Sequence, residues 1–227
     1  MFRVSELFYS IQGEGFLAGT PAVFIRLQGC PVGCEFCDTK HTWSSRGDAK
    51  VDAAVILEDL PREKDAWADI DQNSLLNWVG ARLGVDGLVV ITGGEPLLHV
   101  RLVELVSELL RVYKVQIETS GTVQNEPILE KCQEQAEHPL WLTVSPKWEG
   151  KIPVLLQVLH AAHEVKVVIS SEEVAQRVRA LALPDDLTLD NALLFVQPET
   201  GERFEWSLAR CVEICKEFPA RVRLSTH

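Results

Sequence analysis

Three cysteines stand close together as Cys30-Pro-Val-Gly-Cys34-Glu-Phe-Cys37. The spacing is Cys-x3-Cys-x2-Cys. Thiolates are the usual ligands of iron–sulfur clusters. Three of them without a fourth cannot close a tetrahedral site. They can hold three irons of a four-iron cluster and leave the fourth iron open to a ligand, which is where chemistry would occur. Gly29 and Gly33 allow the backbone to wrap closely around such a group. Zinc is the competing reading, with His41 as fourth ligand. A structural zinc site usually pairs two Cys-x2-Cys knuckles, and no second knuckle is present. Cys211 and Cys215 fall in a helical pattern and read as packing.

A loop of this kind needs a scaffold. The pattern alternates strands with helices. Strand-like runs are Ala22–Leu27, Gly87–Thr92, Val115–Thr119, Trp141–Ser145, Glu164–Ile169, Ala192–Gln197 and Arg221–Ser225. Helix-like stretches are Val51–Leu60, Ser74–Leu83, Leu98–Val112, Pro127–Gln135, Val154–Ala161, Glu172–Leu181 and Ser207–Phe218. Runs such as Leu88-Val-Val-Ile91 are almost unbroken and apolar, as in strands covered on both faces. The alternation predicts an α/β fold with a parallel sheet. Six strand–helix units are too few for a full eight-fold barrel. The expectation is a partial, open (β/α)6-type barrel, one domain over residues 1–227, with the polar stretch Ser44–Gln72 as an insertion.

The unusual residues lie just after the predicted strands: Cys30, Thr92-Gly-Gly94-Glu95-Pro96, Glu118, Ser145-Pro146-Lys147, Gln197 and Thr226-His227. In a parallel barrel these positions share one rim, where ligands bind. In Gly93-Gly94-Glu95-Pro96 the glycines would expose backbone to a ligand, and Glu95 would accept from an ammonium group. Arg26 interrupts an apolar strand. A buried unpaired charge is costly, so Arg26 calls for an anion.

Composition narrows the partners. The chain has 227 residues, 46% of them hydrophobic, which suffices for a large core. Its formal net charge of −11 argues against phosphate backbones, so no nucleic acid is expected. No apolar run approaches a membrane span, so no membrane is expected either. Met1-Phe-Arg-Val-Ser-Glu does not read as a secretory leader. A cytoplasmic home is expected, where six cysteines favour metal or cluster binding over disulfides.

The cysteine loop followed by Gly-Gly-Glu-Pro resembles the radical S-adenosylmethionine (SAM) superfamily. Three further blocks narrow the match: Glu6-Leu-Phe-Tyr-Ser-Ile11-Gln12-Gly13-Glu14-Gly15, Pro21-Ala-Val-Phe-Ile-Arg26-Leu-Gln-Gly-Cys30 and Cys37-Asp38-Thr39-Lys-His-Thr-Trp43. With Ser145-Pro-Lys147 and Gln197-Pro198 they are similar to the 7-carboxy-7-deazaguanine synthase family. The resemblance covers essentially the whole chain outside Ser44–Gln72.

The resemblance implies a lyase of queuosine and 7-deazapurine biosynthesis. Its reaction converts 6-carboxy-5,6,7,8-tetrahydropterin to 7-carboxy-7-deazaguanine. A 5′-deoxyadenosyl radical takes a hydrogen from C6, the ring contracts and ammonia leaves. The radical belongs to the cofactor, so no side chain is expected to be catalytic. Cys30, Cys34 and Cys37 would hold a 4Fe-4S cluster. Phe36, Cys37, Asp38, Gly94, Glu95, Ser145, Pro146, Lys147 and Gln197 would contact SAM. Thr39 would bind Mg2+. Ile11, Gln12, Gly13, Glu14, Arg26, Thr92, Glu118 and His227 would face the pterin, with Arg26 on its carboxylate. A homodimer and an electron donor such as flavodoxin or ferredoxin are implied as well. Rival readings are a glycyl-radical-enzyme activase of the same superfamily and a zinc-stabilised binding module without catalysis.

Overall fold

The computed structural model describes residues 1–34, 37–44, 49–134, 138–150, 152–183, 189 and 192–225. The chain opens with an antiparallel hairpin of β1 (Phe2–Ile11) and β2 (Pro21–Leu27). A short strand, β3 (Ala68–Ile70), runs antiparallel along the other side of β1. From β2 onward all pairing is parallel, through β4 (Leu88–Gly93), β5 (Lys114–Thr119), β6 (Leu140–Val144), β7 (Glu164–Ile169), β8 (Leu193–Pro198) and β9 (Val222–Leu224). The sheet order is β3-β1-β2-β4-β5-β6-β7-β8-β9, so β3 and β9 are edges and the barrel stays open.

The parallel strands are joined by α1 (Ala53–Leu57) and α2 (Gln72–Gly80), then α3 (Leu102–Leu109), α4 (Glu126–Cys132), α5 (Leu156–His160), α6 (Glu172–Leu181) and α7 (Phe204–Glu217). Helices α1, α2 and α6 start where short polar side chains satisfy free N–H groups. Asp71 accepts from Ser74 N (3.0 Å) at α2, and Ser171 from Val174 N (3.3 Å) at α6. In α3 the buried stripe is Leu102, Leu105, Val106 and Leu109, the spacing of one helical face.

Strand residues alternate between two faces. Val23, Ile25 and Leu27 on β2, Ile117 on β5, Leu142 on β6 and Val167 on β7 join one large core cluster against the helices. The other parity carries Phe24 and Arg26, Thr92, Gln116 and Glu118, Thr143, Lys166 and Gln197. That inner face is apolar at Ala22, Phe24, Leu88 and Val90, and polar further along the same strands. One period-2 rule thus builds a dry outer core and a polar concave face from the same strands.

The predicted parallel strands lie within a residue or two of the observed ones. Two antiparallel strands escaped the reading. In β1 a register shift between Val4 and Glu6 breaks the alternation that marks a strand. β3 lies within the stretch read as an insertion. Its described part instead adds to the core, with Ile56, Trp67, Ala68 and Ile70 buried. The predicted helix Leu98–Val112 is cut at its start, because Glu95 opens a separate 3-10 turn at Pro96–Leu98. Among the described residues no helix is long and apolar enough to cross a membrane.

Candidate active site

The strand ends converge as the parallel barrel predicts. A cavity of about 400 Å³ opens at the carboxyl ends of β2, β4, β5, β6, β7 and β8. Cys30, Cys34, Cys37, Asp38 and Thr39 line it from one loop. Ile11, Gln12, Gly13 and Glu14 line it from the β1–β2 connection. Arg26, Thr92, Gly94, Glu118, Ser145, Lys147 and Gln197 line it from the strands. Phe36 and His227 lie outside the described residues.

The cysteine loop is tied at both ends. Gly29 N donates to Thr42 O (2.7 Å), Cys30 N to Trp43 O (3.2 Å) and Cys37 N to Cys34 O (3.3 Å). Gly29 and Gly33 have φ of 106° and 66°, conformations that favour glycine. The loop meets the end of β4 through the double glycine. Gly94 N donates to Leu27 O (2.9 Å) and Glu95 N to Gly29 O (2.8 Å). A Cβ on Gly94 would lie 2.2 Å from the Gly29 carbonyl oxygen. Gly94 is therefore demanded by backbone packing as well as by any ligand.

The three thiols are free, half-buried and directed into the same cavity. Burial pushes the Cys30 and Cys34 thiols up, with Lys147 partly opposing this at Cys34. Thiolates there call for a cationic partner, and an iron–sulfur cluster meets that need. His41 does not join them. Its Nε2 lies 3.9 Å from Glu6 Oε1, and the ring is absent from the cavity wall, against the zinc arrangement. Thr39 precedes the 3-10 turn Lys40–Thr42 yet does not cap it with its hydroxyl. Its Oγ1 lies 3.5 Å from Cys37 Sγ and remains available to a hard cation.

The inner face carries a polar network. Lys166 bonds to Glu14 and lies 3.7 Å from Glu118 Oε1. Thr92 Oγ1 donates to Glu118 Oε2 (3.0 Å), and Gln197 Nε2 to Glu14 Oε1 (3.0 Å). Gln12 Nε2 donates to Gln116 Oε1 (2.7 Å) and to Glu118 Oε1 (3.2 Å). Burial alone would lower the Lys166 pKa, but Glu118 and Glu14 outweigh it and hold the ammonium well above the usual lysine range. Gln197 Oε1 is buried with no partner among the described residues, an orphaned acceptor on a cavity wall. Lys147 donates to Ser145 Oγ (2.8 Å), and burial pulls its pKa down.

Two expectations are corrected. Glu95 is fully buried and does not line the cavity. Its carboxylate accepts four hydrogen bonds, from Leu97 N (3.1 Å), Thr119 Oγ1 (2.7 Å), Ser120 N (2.9 Å) and Ser120 Oγ (2.5 Å). With that many donors satisfied, it staples β4 to β5 and is not free for a ligand ammonium. Pro146 is likewise buried behind the wall. Arg26 also has a partner within the chain: Nε donates to Glu6 Oε2 (2.6 Å), and the guanidinium lies 5.7 Å from the Phe8 ring centroid. Its terminal nitrogens have no acceptor among the described residues.

Lys166 was missed. It breaks the apolar strand β7 as Arg26 breaks β2, and the same cost argument would have flagged it. Its carboxylate partners are 152 and 48 residues away (166 − 14 and 166 − 118), beyond any local signal.

An open parallel barrel with a three-thiol loop at its carboxyl rim defines the radical SAM class of enzymes. Residues 24–147 match the family described as the radical SAM superfamily. The chain is 37% identical to the 7-carboxy-7-deazaguanine synthase of Escherichia coli K12, covering 100% of this chain and 96% of that protein. It is 32% identical to the synthase of Aquifex aeolicus, covering 100% and 92%. The crystal structure of QueE from Escherichia coli superposes with a TM-score of 0.79 at 34% identity, covering 100% of this chain and 93% of that one. The chain belongs to the 7-carboxy-7-deazaguanine synthase family.

Proposed function

We propose that this chain converts 6-carboxy-5,6,7,8-tetrahydropterin to 7-carboxy-7-deazaguanine with loss of ammonia. The observation that carries the reading is the polarity of the inner face. Acceptors from Gln12, Glu14 and Glu118 suit a flat ring edge rich in N–H donors. The terminal nitrogens of Arg26, on β2 of the same cavity, suit a carboxylate bidentately. Cys30, Cys34 and Cys37 would hold the 4Fe-4S cluster. Asp38, Gly94, Ser145, Lys147 and Gln197 would hold SAM, with Gln197 Oε1 gaining the donor it lacks. The cluster and SAM together supply the radical that removes hydrogen from the ring. Thr39 would bind Mg2+ beside the substrate carboxylate, the metal completing its shell with water and substrate oxygens. Thr92 orients Glu118, and Lys166 holds Glu14 in place beside Glu118. We read the working form as a homodimer of single-domain subunits, cytoplasmic and reduced by flavodoxin or ferredoxin, on the strength of the family resemblance.

Anaerobic incubation of reconstituted protein with the carboxytetrahydropterin, SAM and a reductant tests this, with and without Mg2+. 7-Carboxy-7-deazaguanine should form, and faster with the metal. Protein that carries four irons and cleaves SAM but yields no such product would overturn the substrate assignment.

Arg26→Ala separates recognition from cofactor chemistry. A hydrogen-bonded contact to a charged group is worth about 1.5–3 kcal/mol, or roughly ten- to a hundredfold. Substrate turnover should fall by that factor while uncoupled SAM cleavage continues. Equal loss of both would make Arg26 a structural partner of Glu6 alone.

A further inference from the structure

The connection that carries Gln12 and Glu14 is gripped from strands that never pair with its own hairpin. Among the described residues strand β1 pairs with β2 and β3 alone, so the sheet's ladders leave residues 12–20 unattached to β6, β7 and β9. Side chains make that attachment. Gly15 N donates to Ser225 Oγ (3.1 Å), just beyond β9. Phe16 N donates to Glu164 Oε2 (3.0 Å), the first residue of β7. The Phe16 ring stacks on Trp141 at 5.1 Å, and Trp141 stacks on His163 at 5.3 Å. Trp141 Nε1 also donates to Glu164 Oε2 (3.4 Å).

Glu164 is fully buried, and its Oε1 has no partner among the described residues. A buried carboxylate oxygen without a partner is unfavourable. An apolar residue would fill the position at less cost if packing were all it did. Gly15 is shaped around that carboxylate: φ is 69°, and a Cβ would fall 1.9 Å from Glu164 Oε1. Two residues along the same face of β7, Lys166 holds the Glu14 side chain. One strand therefore grips the loop twice, at its backbone and at its carboxylate.

We infer that Glu164 is a positioning residue that latches the Gly15–Phe16 turn onto β7 and so aims Gln12 and Glu14 into the cavity. The inference rests on the reading of Gln12 and Glu14 as substrate-facing. Without the latch, the turn loses its backbone tie to β7 and keeps its hairpin neck, where Gln12 N meets Thr20 O (2.8 Å), the Ser225 bond to Gly15 and the side-chain grip of Lys166 and Gln197 on Glu14.

The test combines amide hydrogen exchange with turnover in the reconstituted enzyme. Glu164→Ala should speed exchange across residues 12–20 about tenfold or more, the worth of one lost hydrogen bond plus its packing. It should cut pterin turnover about tenfold while iron content and uncoupled SAM cleavage persist. Glu164→Gln keeps an acceptor oxygen for Phe16 N–H and should restore both readouts. Gly15→Ala should be damaging alone and clearly less damaging on top of Glu164→Ala, where the obstructing carboxylate is gone and only the backbone strain of the positive φ remains. Unchanged exchange in Glu164→Ala, a glutamine variant as defective as alanine, or additive Gly15 and Glu164 effects would each overturn the latch. If Glu164→Ala fails to fold, a loosened loop in Glu164→Gln or a still-protected loop in Gly15→Ala overturns it instead. Exchange needs no substrate, so a parent enzyme inactive on the pterin sinks the functional reading and leaves the latch to be judged separately.

Discussion

Lys166→Met is expected to abolish pterin turnover and to destabilise the folded chain by about 3–5 kcal/mol, the usual cost of removing one partner from a buried charge pair. Methionine matches the length of the lysine stem, so the loss is electrostatic. Lys166 is buried, bonded to Glu14 and 3.7 Å from Glu118. Without it, two carboxylates face one cavity with no cation between them; Thr92 and Gln12 donate to Glu118, and Gln197 donates to Glu14, but none of these donors carries a charge. In the parent the carboxylates raise the Lys166 pKa above its ordinary 10.5, so its stabilisation is complete below that value and is lost only as pH climbs past it. The parent should therefore keep this contribution throughout the neutral range. The variant's deficit should shrink on acidification, because protonating one carboxylate removes the uncompensated charge. Urea unfolding at several pH values measures this. Pairing the change with Glu14→Gln should recover part of the loss. A single variant that loses less than about 1 kcal/mol, the scale of an exposed pair, would show that Lys166 is not the counter-ion of this network.

Glu95→Ala is expected to destabilise the protein before any ligand is added. It deprives Leu97 N, Thr119 Oγ1, Ser120 N and Ser120 Oγ of their shared acceptor. Each buried donor left unmade costs about 1–3 kcal/mol, softened where Ser120 and Thr122 hydroxyls turn toward one another, so a loss of about 3 kcal/mol or more is expected. Cluster content should then fall because the end of β4 no longer braces the start of the cysteine loop. Equilibrium unfolding of the unreconstituted protein decides between two roles. A ligand-binding Glu95 would leave that stability untouched and weaken only SAM affinity.

These two residues show where sequence reading ends. Both stand at strand ends or within strands, and both are carboxylate or ammonium groups. Glu95 sits in a motif and was read as a ligand contact; its neighbours Thr119 and Ser120 come from the next strand and take its carboxylate instead. Lys166 sits in no motif, inside the strand-like run Glu164–Ile169; the parity of β7 turns it inward, where residues from the first hairpin and from β5 meet it. The antiparallel strands show the same limit. A bulge in β1 blurs the period-2 signal, and β3 is too short to show one.

The sequence by itself determined the chemistry's address. Cys30, Cys34 and Cys37 are local in spacing, the strand–helix alternation is local in period, and a parallel barrel brings strand ends to one rim. Those features need only neighbours along the chain. Tertiary structure alone decided the charge partners: Glu6 for Arg26, Glu14 and Glu118 for Lys166, Thr119 and Ser120 for Glu95, and Glu164 for the Gly15 turn. Each such pair spans a separation that only the register and pleat of the assembled sheet can close. A side chain's role at this site is therefore set by which face of which strand it occupies.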